Sequence, residues 1–163
     1  MKHVIKLGGT CFGNKRKYKW ISETIKNNYL SKNIQPILVV SAISKDSKDS
    51  GTTTNLINLL HTKNKDYFNR IKDDHLTLID DLGLTKDNSL NKKMTSNFYD
   101  ITAFSEITDY YPNAILEENI IKIGERMSSQ ILHSYFINNN INNKLINLEH
   151  IISQSTINTP EDI

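Results

Sequence analysis

His3-Val4-Ile5-Lys6-Leu7-Gly8-Gly9-Thr10 is the stretch whose reading decides the fold. His3 to Leu7 is a short strand, largely apolar on both faces, which suits a central strand of a parallel sheet better than a one-sided antiparallel one. Gly8-Gly9-Thr10 then ends it. From about Lys17 to Leu30, Trp20, Ile21, Ile25, Tyr29 and Leu30 recur at helical spacing. Pro36-Ile37-Leu38-Val39-Val40-Ser41 reads as a second buried strand. Strand, helix and strand in succession form a βαβ unit, so the two strands should be parallel neighbours with a right-handed crossover.

Outward from this unit the chain turns helical. Ser44 to Thr53 is a polar loop, and Asn55 to Leu60 a short helix. Tyr67, Phe68, Ile71, Leu76, Ile79 and Leu82 mark a helix over Asp66–Leu82, closed by Gly83. Thr85 to Asn97 is polar, a weak helix or an exposed insertion. Asn113 to Asn138 carries the longest helical pattern, through Leu116, Ile120, Ile123, Met127, Ile131, Leu132 and Tyr135. The Asn138–Asn143 cluster breaks it, and Lys144 to Leu148 reads as a third strand. Thr159-Pro160-Glu161-Asp162 has the cap, proline and acids of a helix start, so a continuing polypeptide is expected.

The 163 residues fit one domain with a real core. At 37% the hydrophobic content is lean, but Asn and Lys fill the deficit rather than Pro, Ser or Gly, which argues against a disordered tail. A net charge of +2 with interspersed signs provides no field to recruit nucleic acid. The run Lys15-Arg16-Lys17-Tyr18-Lys19 is a solvated helix start, with an auxiliary role in attracting a polyanionic nucleotide left open. Cys11 is the only cysteine, which excludes an internal disulfide and a cysteine zinc site. The five histidines show no metal-ligand spacing, so no protein metal site is expected. Neither a targeting segment nor a membrane-spanning run is evident, so a cytoplasmic protein without membrane contact is expected.

Three segments could carry chemistry. A lysine at the carboxyl end of a parallel strand, followed by paired glycines, lies where open α/β sheets bind ligands. Gly8 and Gly9 let the backbone approach anionic oxygens, and Lys6 adds a mobile charge for phosphate, although Gly-Gly is also simply a turn. Ser41-Ala42 and Gly51-Thr52-Thr53-Thr54-Asn55-Leu56 offer hydroxyls and helix-start amides, or ordinary capping. Gly124-Glu125-Arg126-Met127-Ser128-Ser129 places glycine inside a helix, at a cost of about 1 kcal/mol relative to alanine. That glycine serves close helix packing or ligand access beside Glu125, and Glu125 could instead pair with Lys122 or Arg126. The chain has neither a Walker loop nor protein-kinase signatures.

In this order the segments resemble the aspartate kinases of the amino acid kinase family. Val4-Ile5-Lys6-Leu7-Gly8-Gly9-Thr10 is similar to their opening Lys-Phe-Gly-Gly-Thr-Ser signature. Val39-Val40-Ser41-Ala42 with Thr53-Thr54-Asn55-Leu56 resembles their second motif, and Gly124-Glu125-Arg126-Met127-Ser128 their Gly-Glu-x-x-Ser helix. The connection carrying Gly51-Thr52-Thr53 and the segment Asp73-Asp74-His75 resemble the fungal-type branch. Leu7 and Cys11 depart from the usual phenylalanine and serine. The family's Gly-Arg-Gly-Gly-Ser-Asp segment, its adenine-binding elements and its regulatory ACT domains have no counterpart here.

The resemblance implies an αβα sandwich of three layers around a mainly parallel sheet, present only in part over residues 1–163. It implies transfer of the γ-phosphoryl of ATP, delivered with Mg²⁺, to the β-carboxylate of L-aspartate, the first step toward lysine, threonine and methionine. Lys6 would be catalytic and, with Gly8, Gly9, Thr10 and Ser41, would bind phosphate. Thr54 and Glu125 would bind the amino acid, Glu125 through the α-ammonium group. A homo-oligomer is expected of the complete enzyme, and little or no turnover from this chain alone. The alternatives are a kinase for another small acid and a non-catalytic binding remnant.

Overall fold

The computed structural model describes residues 2–45, 50–107, 110 and 113–147. Strand β1 (Lys2–Leu7) pairs in parallel with β2 (Gln35–Val40), Lys6 opposite Val39 and Leu7 opposite Val40. Helix α1 (Lys15–Asn28) connects them, so the βαβ unit forms as the apolar pattern requires. A 3₁₀ turn over Gly9–Phe12 precedes α1, and another, Leu30–Lys32, follows it. Four helices come next: α2 (Thr52–Thr62), α3 (Lys65–Asp81), α4 (Asn88–Glu106) and α5 (Asn113–Asn138). The fold is α/β, mostly helical around a short parallel sheet, in keeping with part of an αβα sandwich.

Local chemistry sets most helix ends. Asn14 caps α1 by accepting from the Lys17 amide at 3.2 Å, Asn64 caps α3 and Asp87 caps α4. Each side-chain oxygen thereby satisfies an amide that the helix itself leaves open. Gly83 terminates α3 at φ +72°, a left-handed conformation that glycine adopts without a Cβ clash.

The helix phases differ in detail from the sequence expectation. In α1 the buried stripe runs Tyr18, Ile21, Ser22 and Ile25, leaving Trp20 exposed about 100° around the helix from Ile21. In α3, His75 rather than Leu76 completes the buried stripe with Ile71, Leu78 and Ile79. The polar stretch after Thr85 is a full helix, because Leu90, Met94, Asn97 and Ile101 bury one side of α4 against α5. These contacts supply the apolar face that intrinsic propensity alone lacks.

Two expectations are corrected. Both strands were expected to be buried on both faces, yet only one face is covered among the described residues. Leu7 joins the core, whereas Val4, Ile37 and Val39 are exposed on the opposite side. The third strand does not form: Lys144 to Asn147 make no ladder, and Leu148 lies outside the described residues. Just before this segment, Asn143 hydrogen-bonds His133 on α5, and Ile141 is buried. The helix start at Thr159 also lies outside the described residues. No helix among the described residues is long and apolar enough to cross a membrane.

Candidate functional site

The rim at the carboxyl ends of β1 and β2 gathers the three segments. Leaving β1, the chain makes the 3₁₀ turn at Gly9, in which Cys11 donates to the Gly8 carbonyl at 2.9 Å. Leaving β2, it continues alongside: the Ser41 amide donates to Leu7 and the Ser44 amide to Gly9, both at 3.1 Å. The approach is so close that a Cβ on Gly9 would lie 2.2 Å from the Ala42 carbonyl oxygen. Only glycine lets these two backbones meet there.

Helix α5 reaches the same place through Gly124. A Cβ at Gly124 would stand 3.1 Å from Leu56 Cδ1, 3.2 Å from Ala42 Cβ and 3.2 Å from Thr52 Cγ2. The mid-helix glycine is therefore a packing device between α5, the end of β2 and the start of α2. Of its two sequence readings, close contact is the one realised. Glu125 is the next residue along the helix.

Helix α2 begins at this rim as well. Its N-cap is Gly51, which makes no side-chain cap hydrogen bond. The Thr52 amide donates to Ile43 at 2.9 Å and ties the helix start to the end of β2. The start of a helix favours anions in general. Thr54 sits half-buried in the first turn, and Ser41 is half-buried at the end of β2.

Gly8 differs from the other two glycines. Its conformation, φ −71° and ψ 160°, suits any residue, and a Cβ there would meet nothing within 4 Å among the described residues. Among the described residues, folding gives no reason for glycine at this position, and its side of the rim is open. Gly8 and Thr10 are exposed, and Cys11 is half-buried with a free thiol.

Lys6 is exposed and makes no hydrogen bond or ion pair among the described residues. It projects from the uncovered face of the sheet, opposite to Leu7, because successive strand residues alternate. Glu125 is likewise exposed and unpaired among the described residues. The two partners open to it in sequence are engaged elsewhere: Lys122 with Glu118 at 2.7 Å, and Arg126 with Asp100 and Asn97 on α4. The structure joins the backbones of all three segments but does not join Lys6 to Glu125 directly. No group of three or more His, Cys, Asp or Glu among the described residues could hold a metal ion.

Two features of the surroundings are invisible in sequence. Lys45 follows the Ser41–Ser44 segment and pairs with Asp74 on α3, which ties the rim loop to that helix. Asn97, buried in α4, bridges Arg126 and Gln130 of α5. Both depend on loops and helices meeting across the fold, and spacing within a segment carries no trace of them. A model of the amino acid kinase family matches residues 1–162. No curated protein matches the chain. With its glycine-bearing strand ends and the Gly124 helix gathered at one rim, the chain belongs to the amino acid kinase family.

Proposed function

We propose that the chain is an aspartate kinase of the fungal type, which passes the γ-phosphoryl of ATP to the β-carboxylate of L-aspartate. The observation that carries this reading is the convergence at Ala42, where the backbone leaves no room for a Cβ on Gly9 and Gly124 packs in close contact. On this reading the Gly8-Gly9-Thr10 turn would take phosphate, with the start of α2 and Glu125, unpaired among the described residues, completing the site. Such an arrangement suits a small-molecule kinase, and the Gly124-Glu125-Arg126-Met127-Ser128 and Thr53-Thr54-Asn55-Leu56 segments favour aspartate among its substrates.

An acceptor carboxylate is already ionised at neutral pH, so the reaction needs no strong general base. Positioning and charge neutralisation carry the catalysis. Gly8, Gly9 and Thr10 would take phosphate oxygens at the open side of the rim, with Ser41 beside them. Lys6, free of a carboxylate partner among the described residues, would reach over the sheet edge to the transferring group. Mg²⁺ would enter with ATP and offset phosphate charge, for which no protein cage is required. Thr54 would line the amino-acid pocket, and Glu125 would hold the α-ammonium group.

Titration calorimetry with Mg-ATP, L-aspartate, L-glutamate and succinate tests the reading. Expected is binding of Mg-ATP and L-aspartate, and weaker binding of succinate, which lacks the amine. Glu125→Ala should weaken aspartate binding about tenfold, the loss of one charge-assisted hydrogen bond at an exposed site. Lys6→Ala should weaken Mg-ATP instead. Preference for glutamate would move the substrate to another small acid, and absence of nucleotide binding would refute the kinase reading. Acyl phosphate trapped with hydroxylamine should be near background for this chain alone, and robust trapping would show that it suffices for turnover.

A further inference from the structure

Glu125 lies between two anchors on opposite sides of α5. Successive residues of an α-helix are turned by about 100°, so Gly124 and Arg126 point about 200° apart, with Glu125 between them. On one side Gly124 seats the helix on Ala42, Thr52 and Leu56. On the other, Arg126 Nε donates to Asn97 Oδ1 at 2.8 Å, and its Nη2 donates to Asp100.

Asn97 is 2% exposed and holds a second bond, from its Nδ2 to Gln130 Oε1 at 2.7 Å. Guanidinium can only donate, so the Asn97 oxygen must face Arg126 and its amide nitrogen must face Gln130. The side chain is locked in one orientation. Arg126 and Gln130 lie one turn apart on α5, and Asn97 and Asp100 lie one turn apart on α4. The four form a ladder that fixes both the rotation and the register of α5.

We propose that Asn97 is a positioning residue for amino-acid recognition: through Arg126 it fixes the rotation of α5 and so aims Glu125 at the substrate ammonium. This rests on the proposed role of Glu125. A buried amide bridge is a costly way merely to join two helices, because apolar residues of the same volume would pack there without leaving polar groups to satisfy. Its directional bonds hold an angle that apolar contact leaves looser.

The test is a double-mutant cycle read by calorimetry, with circular dichroism to verify folding. Asn97→Leu should weaken L-aspartate about tenfold while Mg-ATP stays within about twofold, since only the aim of α5 is relaxed. In the Glu125→Ala background the same change should cost nothing further. Asn97→Asp should restore binding, because it still accepts from Arg126 and Gln130 can turn its amide to donate. Equal loss of both ligands, equal loss in the Glu125→Ala background, or no loss would each overturn the proposal. If Asn97→Leu does not fold, Asp100→Asn at the half-exposed end decides by the same criteria. A wild-type chain that binds no aspartate removes the function reading and this inference with it. Wild-type binding without coupling between Asn97 and Glu125 removes the inference alone.

Discussion

Adding one methyl group to each of two adjacent glycines should give opposite results. At Gly9 a Cβ would stand 2.2 Å from the Ala42 carbonyl oxygen and 3.3 Å from Ser44 Cβ. Real Cβ contacts stay beyond 3.0 Å, so the strand ends must separate by most of an ångström. The obstacle is backbone, and the Ser44 amide bond to the Gly9 carbonyl, 3.1 Å long, opposes the movement. Overpacking of this kind costs about 1–3 kcal/mol. Alanine recovers about 0.4–1 kcal/mol by restricting the unfolded chain. The net expectation for Gly9→Ala is a loss of roughly 1–2 kcal/mol, a fall in urea midpoint of roughly 0.5–1 M at unchanged slope. Gly8→Ala meets nothing within 4 Å among the described residues at φ −71°, so only the unfolded-chain term operates, and stability should rise by about 0.4–1 kcal/mol. Its Cβ nevertheless enters the open side of the rim, where it should weaken Mg-ATP binding. Urea unfolding and nucleotide titration of both variants are the assay. Equal stability of the two variants would refute the close-approach argument, and unchanged nucleotide affinity in Gly8→Ala would refute the phosphate role of that open side.

Two further expectations concern buried polar groups. Tyr18 is fully buried, with its ring edge-on to Phe12 and Tyr135, and its hydroxyl has no hydrogen-bond partner among the described residues. Burial drives its pKa far above the ordinary phenol range. Tyr18→Phe keeps the ring contacts and removes the unmatched hydroxyl, so stability should hold or rise by about 1 kcal/mol; a clear loss in chemical denaturation would show the hydroxyl to be engaged. His75 is buried, donates from Nδ1 to the Ile71 carbonyl at 2.7 Å, and leaves Nε2 without a partner among the described residues. Burial lowers its pKa below the ordinary 6.5 and Lys45 adds to this, while the Ile71 carbonyl and Asp74 oppose them. A folded-state pKa below the unfolded one means that the unfolded chain binds the proton more readily. His75 thus contributes stability that is complete above about pH 6.5 and is lost as the pH falls toward the lowered folded value. Unfolding midpoints across this range should decline toward acid, and His75→Gln should flatten the decline.

Much of the architecture is legible locally. The strand that ends in Gly8-Gly9, the following helix and the second strand are specified by apolar periods and turn residues, because a parallel βαβ unit is built from consecutive segments. The cap at Asn14, the left-handed Gly83 and the long α5 are local as well. Where polarity masked the signal, as in α4, one buried face supplied by α5 overrode weak propensity. Lys144 to Asn147 misled in the other direction: a β-like composition became a strand in expectation, but a strand needs a neighbouring edge, and these residues join no ladder among the described residues.

By itself the sequence determined the residue types at the site and their order: a cation and two glycines after one strand, hydroxyls after the next, and a glycine and an acid within a long helix. Only the tertiary structure decided which of those residues face one another. It made Gly9 and Gly124 contact residues at Ala42, left Gly8 toward open space, drew Arg126 away from Glu125 to Asn97, and set Lys45 against Asp74. The physical reason is that short-range backbone geometry is encoded in a few consecutive residues. Close approach, helix rotation and the choice of ion-pair partner depend on elements far apart in the chain, and they are fixed only when those elements pack.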